Sequence, residues 1–491
     1  MNKFLNGLTD ATNFTLTENG GLAHKTTKSM VLDMFGTGAA YRNRSDEDCI
    51  LLFKNAYAES PEYALKCLFY IRDAREGQGE RRYFRTVVKW LASYDTDAVR
   101  RNMKHIPEFG RWDDLYCLFD TPLETEMLAF VREQLALDVQ CKTPSLLAKW
   151  LPSENASSAT SRKMGNKIRS YMGWSHKQYR KTLSVLRARI NVLERLMSSG
   201  LWDEIEFDKI PSKAGFKYRN AFARRDIIKA KYEAFAKSDE TKVNAKTLYP
   251  YECVAEARKC GYRDEINRKM INKYWDNLEN YFNEAVFNGL AVVDVSGSMF
   301  GSTASAPINV AISLGLYCAE KAKGPFAGHF LTFSRDPELV KVNGIDFCDK
   351  VRRMGDANWG MNTNLEACFD LLLETAVKNK CSQEDIPQNL LVISDMEIDC
   401  ARNAYYYNRP FVEVDTMMEA MRRKWAQYGY ELPSLIYWNV DARHNNFLDD
   451  GPDVSYISGF SPSIFQQLMS GKTGVELMLE VLDSERYACI K

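Results

Sequence analysis

The amino-acid sequence predicts two domains of different class, an α-helical-repeat array over residues 25–285 and a doubly wound, parallel-sheet α/β domain over residues 286–491. Three observations predict this. At 491 residues the chain exceeds the size at which a single core stops growing. Up to about residue 280 apolar residues recur at helical spacing, whereas beyond residue 288 short apolar runs alternate with helical segments. The charge balance reverses at the same place: residues 1–280 carry 47 Lys+Arg against 37 Asp+Glu, and residues 281–491 carry 18 against 28.

The helical half is legible element by element. Ser60-Pro61-Glu62 is a helix start, because serine caps, proline suits the first helical position and glutamate favours the positive helix end. Tyr63, Leu65, Leu68, Phe69 and Ile71 then line one broad face until REGQGERR breaks the helix. Tyr83, Phe84, Val87, Val88 and Leu91 begin another. Further helices fit 95–105, 123–139, 175–198 and 220–237, and the linker falls in INKYWDNLENYFNEAVFN. Helices joined by short turns, each pair burying its apolar face on its neighbours, predict a repeat array.

After residue 288, GLAVVDVS, GHFLTFS, NLLVISD, LPSLIYWNV and VSYISGF read as short buried strands, and a helix closes the chain. Strand–helix alternation of this kind predicts a parallel sheet covered on both faces. Ligands of such sheets bind beyond the carboxyl ends of the strands.

That edge carries the chemistry. In AVVDVSGSMF, Asp294, Ser296 and Ser298 follow the first strand directly, and Gly297 permits a tight turn that brings their oxygens together. Thr363, in WGMNTNLEA, stands ahead of a helix, and Asp395 ends the strand LLVISD. An all-oxygen set suits Mg²⁺ or Mn²⁺ rather than a thiolate-seeking metal. The competing reading is a serine-rich capping turn without metal.

The set DxSxS, distant Thr, distant Asp resembles the metal-ion-dependent adhesion site (MIDAS) of von Willebrand factor A domains, matching at Asp294, Ser296, Ser298, Thr363 and Asp395. In the helical half, RDAREGQGERRYFR, IPEFGRWDDLYCLF, LLAKWLPSE and KIRSYMGWSHKQYRKTLSVLR resemble the TROVE domain shared by Ro ribonucleoproteins, telomerase and vault components. Taken together the chain resembles a Ro-like family that fuses a TROVE-like domain to a von Willebrand A domain. The resemblance implies a HEAT-like helical ring that binds RNA, a structured small RNA or a single-stranded end, within a ribonucleoprotein. It also implies a metal site that takes a carboxylate from an acidic protein partner.

The residues themselves give RNA a weaker footing. Residues 155–231 hold 18 Lys+Arg against six Asp+Glu. Within them Arg162, Lys163, Lys167, Arg169, His176, Lys177, Arg180 and Lys181 alternate with Tyr171, Trp174 and Tyr179, offering phosphate charge and stacking surfaces together. A basic run of this kind is also what a solvated helix face looks like. REGQGERR, with Arg72, Arg75, Arg81 and Arg82, is a second basic candidate that competes with its role as a turn.

Other functions find little support. The sequence lacks a phosphate loop, an HExxH and a GxSxG elbow, and an aspartate-nucleophile phosphatase would want an acid where Ser296 stands, so a non-enzymatic protein is expected. The 12 cysteines are scattered, and Cys253 and Cys260 lack the further ligands of a zinc finger. Reduced thiols, no apolar run near the roughly 20 residues of a membrane span and no signal-type segment point to the cytoplasm. Two functions stay open, an RNA-binding scaffold and a metal-dependent protein-interaction adaptor without an RNA ligand.

Overall fold

The computed structural model describes residues 13–190, 192–283, 285–355, 364–398, 417–449, 451 and 453–491. It opens with a hairpin, β1 (Phe14–Leu16) and β2 (Leu22–His24). The longer helices of the first half are α1 (Met30–Thr37), α2 (Asp46–Glu59), α3 (Pro61–Arg72), α4 (Arg82–Tyr94), α5 (Thr96–Asn102), α6 (Glu124–Gln140), α7 (Ala159–Tyr171), α8 (His176–Arg189), α9 (Ser212–Arg224), α10 (Asp226–Lys237), α11 (Pro250–Ala257) and α12 (Glu265–Asp276).

Local chemistry explains where they start and stop. Ser60 caps α3 by accepting from the Tyr63 N–H, with Pro61 at the first helical position. Two stretches that read as single helices are each split. The run 175–198 breaks after Arg189 and resumes at Leu193–Ser198, and the run 220–237 breaks at Arg225, which is extended (φ −87°, ψ 112°). Asp226 then opens α10 in its first turn and Lys237 closes it in its last, an arrangement that the helix dipole favours.

The second half holds a six-stranded sheet in the order β5 (Leu339–Lys341), β4 (His329–Phe333), β3 (Gly289–Asp294), β6 (Asn389–Ser394), β7 (Ser434–Asn439), β8 (Val454–Ser458). Every pairing is parallel except β4 with β5. Its longer helices are α13 (Pro307–Lys321), α14 (Phe347–Gly355), α15 (Leu365–Asn379), α16 (Met417–Gln427) and α17 (Gly474–Leu482).

Alternation along the strands decides how the halves join. Ala291, Val293, Leu391, Ile393, Ile436 and Trp438 belong to one continuous core with α13 and the apolar faces of the helical half. Leu290, Val292, Leu390, Val392, Leu435 and Tyr437 face the other way and form a second core with α15 and α16. The helical half touches the sheet domain at both of its ends: α1 lies along the edge strand β8, while α11 packs on α13 and α12 on α14. The carboxyl end of the chain returns to the early helices, where Arg486 pairs with Asp73 and Asp483 with Lys66. The helical segments therefore leave the sheet domain and come back to it.

Candidate metal centre and polyanion cavity

Neighbouring strands β3 and β6 end at the same edge and deliver Asp294 and Asp395, both fully buried. Asp294 accepts from the Ser296 N–H at 2.8 Å and from Ser394 Oγ at 2.6 Å. Ser296 Oγ and Ser298 Oγ stand 3.0 Å apart. Burial and then the charge of Asp395 push the Asp294 carboxyl up to about 7. Two buried carboxyls with serine hydroxyls beside them form an all-oxygen donor set of the kind that Mg²⁺ or Mn²⁺ takes, with Arg443 already on one oxygen of Asp395. Thr363 lies outside the described residues. The loop turns sharply at Met396, a non-glycine residue at φ 65°, which is a conformation retained mainly where surrounding structure enforces it.

Four neighbours of this site, Arg443, Glu18, Glu397 and His444, are not marked as site residues in the sequence. Arg443 donates to Asp395 Oδ2 at 2.8 Å and pairs with Glu18 at 2.7 Å. Glu397 is 1% exposed and lies 2.9 Å from His444 Nδ1. The signal was available in NVDARH, since Arg443 and His444 follow the end of β7 just as Asp395 follows β6. Glu18 carries no such signal, because the hairpin brings it there through tertiary packing.

The helical half forms an open-sided cavity of about 1500 Å³. Its wall is made by the end of α3 and the turn after it (Arg72, Arg75, Gly79, Arg81), the stretch Gly110–Trp112, the short helix Leu147–Trp150, α8, the helix Leu193–Ser198, α9 and α11. Ten lysines and arginines line it against three glutamates, Glu154, Glu194 and Glu252. Two of the glutamates are already neutralised, Glu154 by Arg169 at 2.7 Å and Glu252 by Lys213.

Several of the cations are not. Arg81, Lys149, Arg195 and Lys217 line the cavity and have no ion-pair partner among the described residues. Burial, followed by the charges of Arg111, Arg85 and Arg72, lowers the pKa of the Arg81 guanidinium. Like charges held together in a recess concentrate positive potential. Aromatic rings are interleaved with them: Tyr249 and Tyr251 stack at 5.9 Å and 8°, and Arg111 lies 3.9 Å over Trp150. Gly79 (φ 66°) lets the turn pass against Tyr249, where a Cβ would collide with the phenol oxygen.

Of the eight residues singled out in 162–181, the structure brings Arg180 to this wall. Lys167 pairs instead with Asp120 and Glu124 at 2.8 and 2.9 Å. Arg169 and His176 share Glu154, and Arg162 donates to the carbonyls of Ala156 and Ser157. Lys163 and Lys177 are exposed, and Lys181 lines a separate small groove with Arg189. Arg72 and, from REGQGERR, Arg75 and Arg81 line the cavity, Arg72 being paired with Asp114, while Arg82 pairs with Asp46.

Comparison with known proteins gives this arrangement a context. Residues 17–144 and 138–286 match a domain of unknown function, DUF2828, and residues 288–486 match a second, DUF7788. The chain belongs to the DUF2828 family. A relative, "Uncharacterized protein L728" of Acanthamoeba polyphaga mimivirus, is 30% identical over 526 residues, covering 96% of this chain and 87% of the relative. The DUF2828 match covers the helical segments that form the cavity, and the DUF7788 match covers the sheet with Asp294 and Asp395. Among solved structures, the crystal structure of the Deinococcus radiodurans RO (RSR) protein aligns over 93% of each chain, at 13% identity and a TM-score of 0.37.

Proposed function

We propose that the chain is a non-enzymatic RNA-binding scaffold in which the helical cavity holds an RNA segment and the sheet domain recruits a protein. The observation that carries this reading is the cavity wall, where Arg81, Lys149, Arg195 and Lys217 have no ion-pair partner among the described residues and aromatic faces lie among them. Unpaired guanidinium and ammonium groups release counterions on meeting phosphates, and aromatic faces accept unstacked bases, so a single-stranded end or loop of a structured RNA is the ligand class. The segments that resemble Ro ribonucleoproteins build much of that wall, which adds weight to the same choice.

In this reading the sheet domain is of von Willebrand A type. Asp294, Ser296, Ser298, Thr363 and Asp395 hold Mg²⁺, and a carboxylate from an acidic partner completes the coordination. Phe300, 57% exposed just past the serine loop, offers that partner an apolar contact. The 11 described cysteines are free, and no described helix is long and apolar enough to cross a membrane.

The test is filter binding of a structured RNA with a single-stranded end, titrated over salt. Replacing Arg81, Lys149, Arg195 and Lys217 together with glutamine is expected to weaken binding across sequences and to flatten the salt slope by up to about 0.7 per lost phosphate contact. An unchanged slope would move RNA to another surface, and no wild-type binding at low salt would leave the metal-dependent adaptor as the function. For the metal, Mg²⁺ is expected to raise the thermal midpoint of the wild type but not of Asp294→Ala, since a ligand that binds only the native state stabilises it. Equal stabilisation of both would remove the assignment.

A further inference from the structure

Beside Asp395 lies a group of ligating atoms that neither the cavity nor the serine loop uses. Glu18 sits in the turn between β1 and β2, Glu397 follows Asp395 by two residues, and His444 is in the loop after β7. One oxygen of each carboxylate is already held. Glu397 Oε2 accepts from the Glu18 N–H at 2.7 Å, and Glu18 Oε2 pairs with Arg443 at 2.7 Å. The other oxygens converge on His444 Nδ1, Glu397 Oε1 at 2.9 Å and Glu18 Oε1 at 3.7 Å. One ligand atom from each of the three residues falls within a span of 4.8 Å.

Donors that fix one carboxylate oxygen and so aim the other are the usual means of orienting metal ligands. Ligands about 2.0–2.1 Å from a tetrahedral ion stand roughly 3.3 Å from one another, between the two separations seen here. Asn446, two residues beyond His444, packs against the loop after β6. It is 2% exposed, its amide nitrogen reaches the Met396 carbonyl at 3.5 Å, and its amide oxygen has no hydrogen-bond partner among the described residues. Arg443 offsets part of the charge of Glu18, Glu397 and Asp395, and a net negative charge remains.

We propose that Glu18, Glu397 and His444 form a divalent transition-metal site, best matched to Zn²⁺, that fastens the β1–β2 hairpin to the loops following β6 and β7. An imidazole with two carboxylates favours a borderline ion over Mg²⁺, which separates this site chemically from the all-oxygen one at Asp294. Glu18 and His444 are exposed, so a fourth position faces solvent.

The experiment titrates the chelator-stripped full chain with Co²⁺ and then displaces it with Zn²⁺. Cobalt held by nitrogen and oxygen gives visible d–d bands without sulfur charge transfer, which separates this site from the free thiols. One Co²⁺ per chain with the strong bands of a tetrahedral site is expected, and these bands are retained in Asp294→Ala, which removes only the weakly absorbing all-oxygen site. His444→Ala is expected to weaken binding by more than the roughly 100-fold that loss of an outer-shell partner can cause. Should that variant misfold, Glu18→Gln, on an exposed turn, is expected to weaken binding as well. Absence of the bands in the wild type, a sulfur charge-transfer band, bands that survive both substitutions, or their loss in Asp294→Ala would each overturn the site.

Discussion

At the scale of single residues, charge means different things in different surroundings. Arg169 and Arg81 are both arginines in basic stretches, yet Arg169 is spent on Glu154, whose side chain is 5% exposed, while Arg81 faces other guanidinium groups across a cavity. Arg169→Gln is therefore expected to destabilise the fold by about 1–3 kcal/mol, because Glu154 keeps only His176 as a partner, and to leave the salt slope of RNA binding unchanged. Arg81→Gln relieves repulsion and is expected to change stability by no more than about 0.5 kcal/mol while lowering that slope. Urea unfolding and salt-titrated binding on the two variants check both halves of the contrast. Spacing marked both stretches as basic, but it could not say which cations had partners, since Glu154 and the arginines around Arg81 meet only in the fold.

Among elements, α1 shows how a helix is fitted to the sheet it serves. Its buried face includes Val31, Leu32, Met34 and Phe35, and it lies along β8, the edge strand, which it covers. Gly36 makes the approach possible: a Cβ there would come within 2.8 Å of Tyr456 Cβ, and a Cβ cannot swing aside as a long side chain can. Gly36→Ala is expected to lose about 1–2 kcal/mol, the strain of overpacking exceeding the roughly 1 kcal/mol gained in helix propensity. Gly261→Ala, where a Cβ meets open space, is the control and is expected to stay within about 0.5 kcal/mol. Chemical denaturation of the two variants decides it. The strands β3, β4, β6, β7 and β8 were readable because buried parallel strands are continuous apolar runs. Neither the β1–β2 hairpin nor β5 announced itself, since three-residue strands are too short to establish a period.

For the whole molecule, the continuous core that joins one face of the sheet to the helices ties the two halves together energetically. Asp73 is fully buried and is held by Arg486 at 2.8 and 3.1 Å and by the Tyr487 hydroxyl at 3.3 Å. Arg486→Ala leaves that buried carboxylate without a cation, held by the Tyr487 hydroxyl and the Arg75 N–H, and is expected to cost about 3 kcal/mol. Wild type and variant are both expected to unfold in one transition, with far-ultraviolet circular dichroism and tryptophan fluorescence coinciding. Two separated transitions would show that the halves are energetically independent despite their shared core.

The sequence by itself determined the two classes of structure, the strands that build the sheet edge, and the placing of Asp294, Ser296 and Asp395 there, because periodicity and a strand end are properties of neighbouring residues. Only the tertiary structure decided where positive charge goes unpaired. The cavity draws Arg81, Lys149, Arg195 and Lys217 from four separate segments, and Glu18 reaches Glu397 and His444 across nearly the whole chain. Electrostatic partners are set by distance in space, and folding brings together groups whose separation along the chain carries no trace of it.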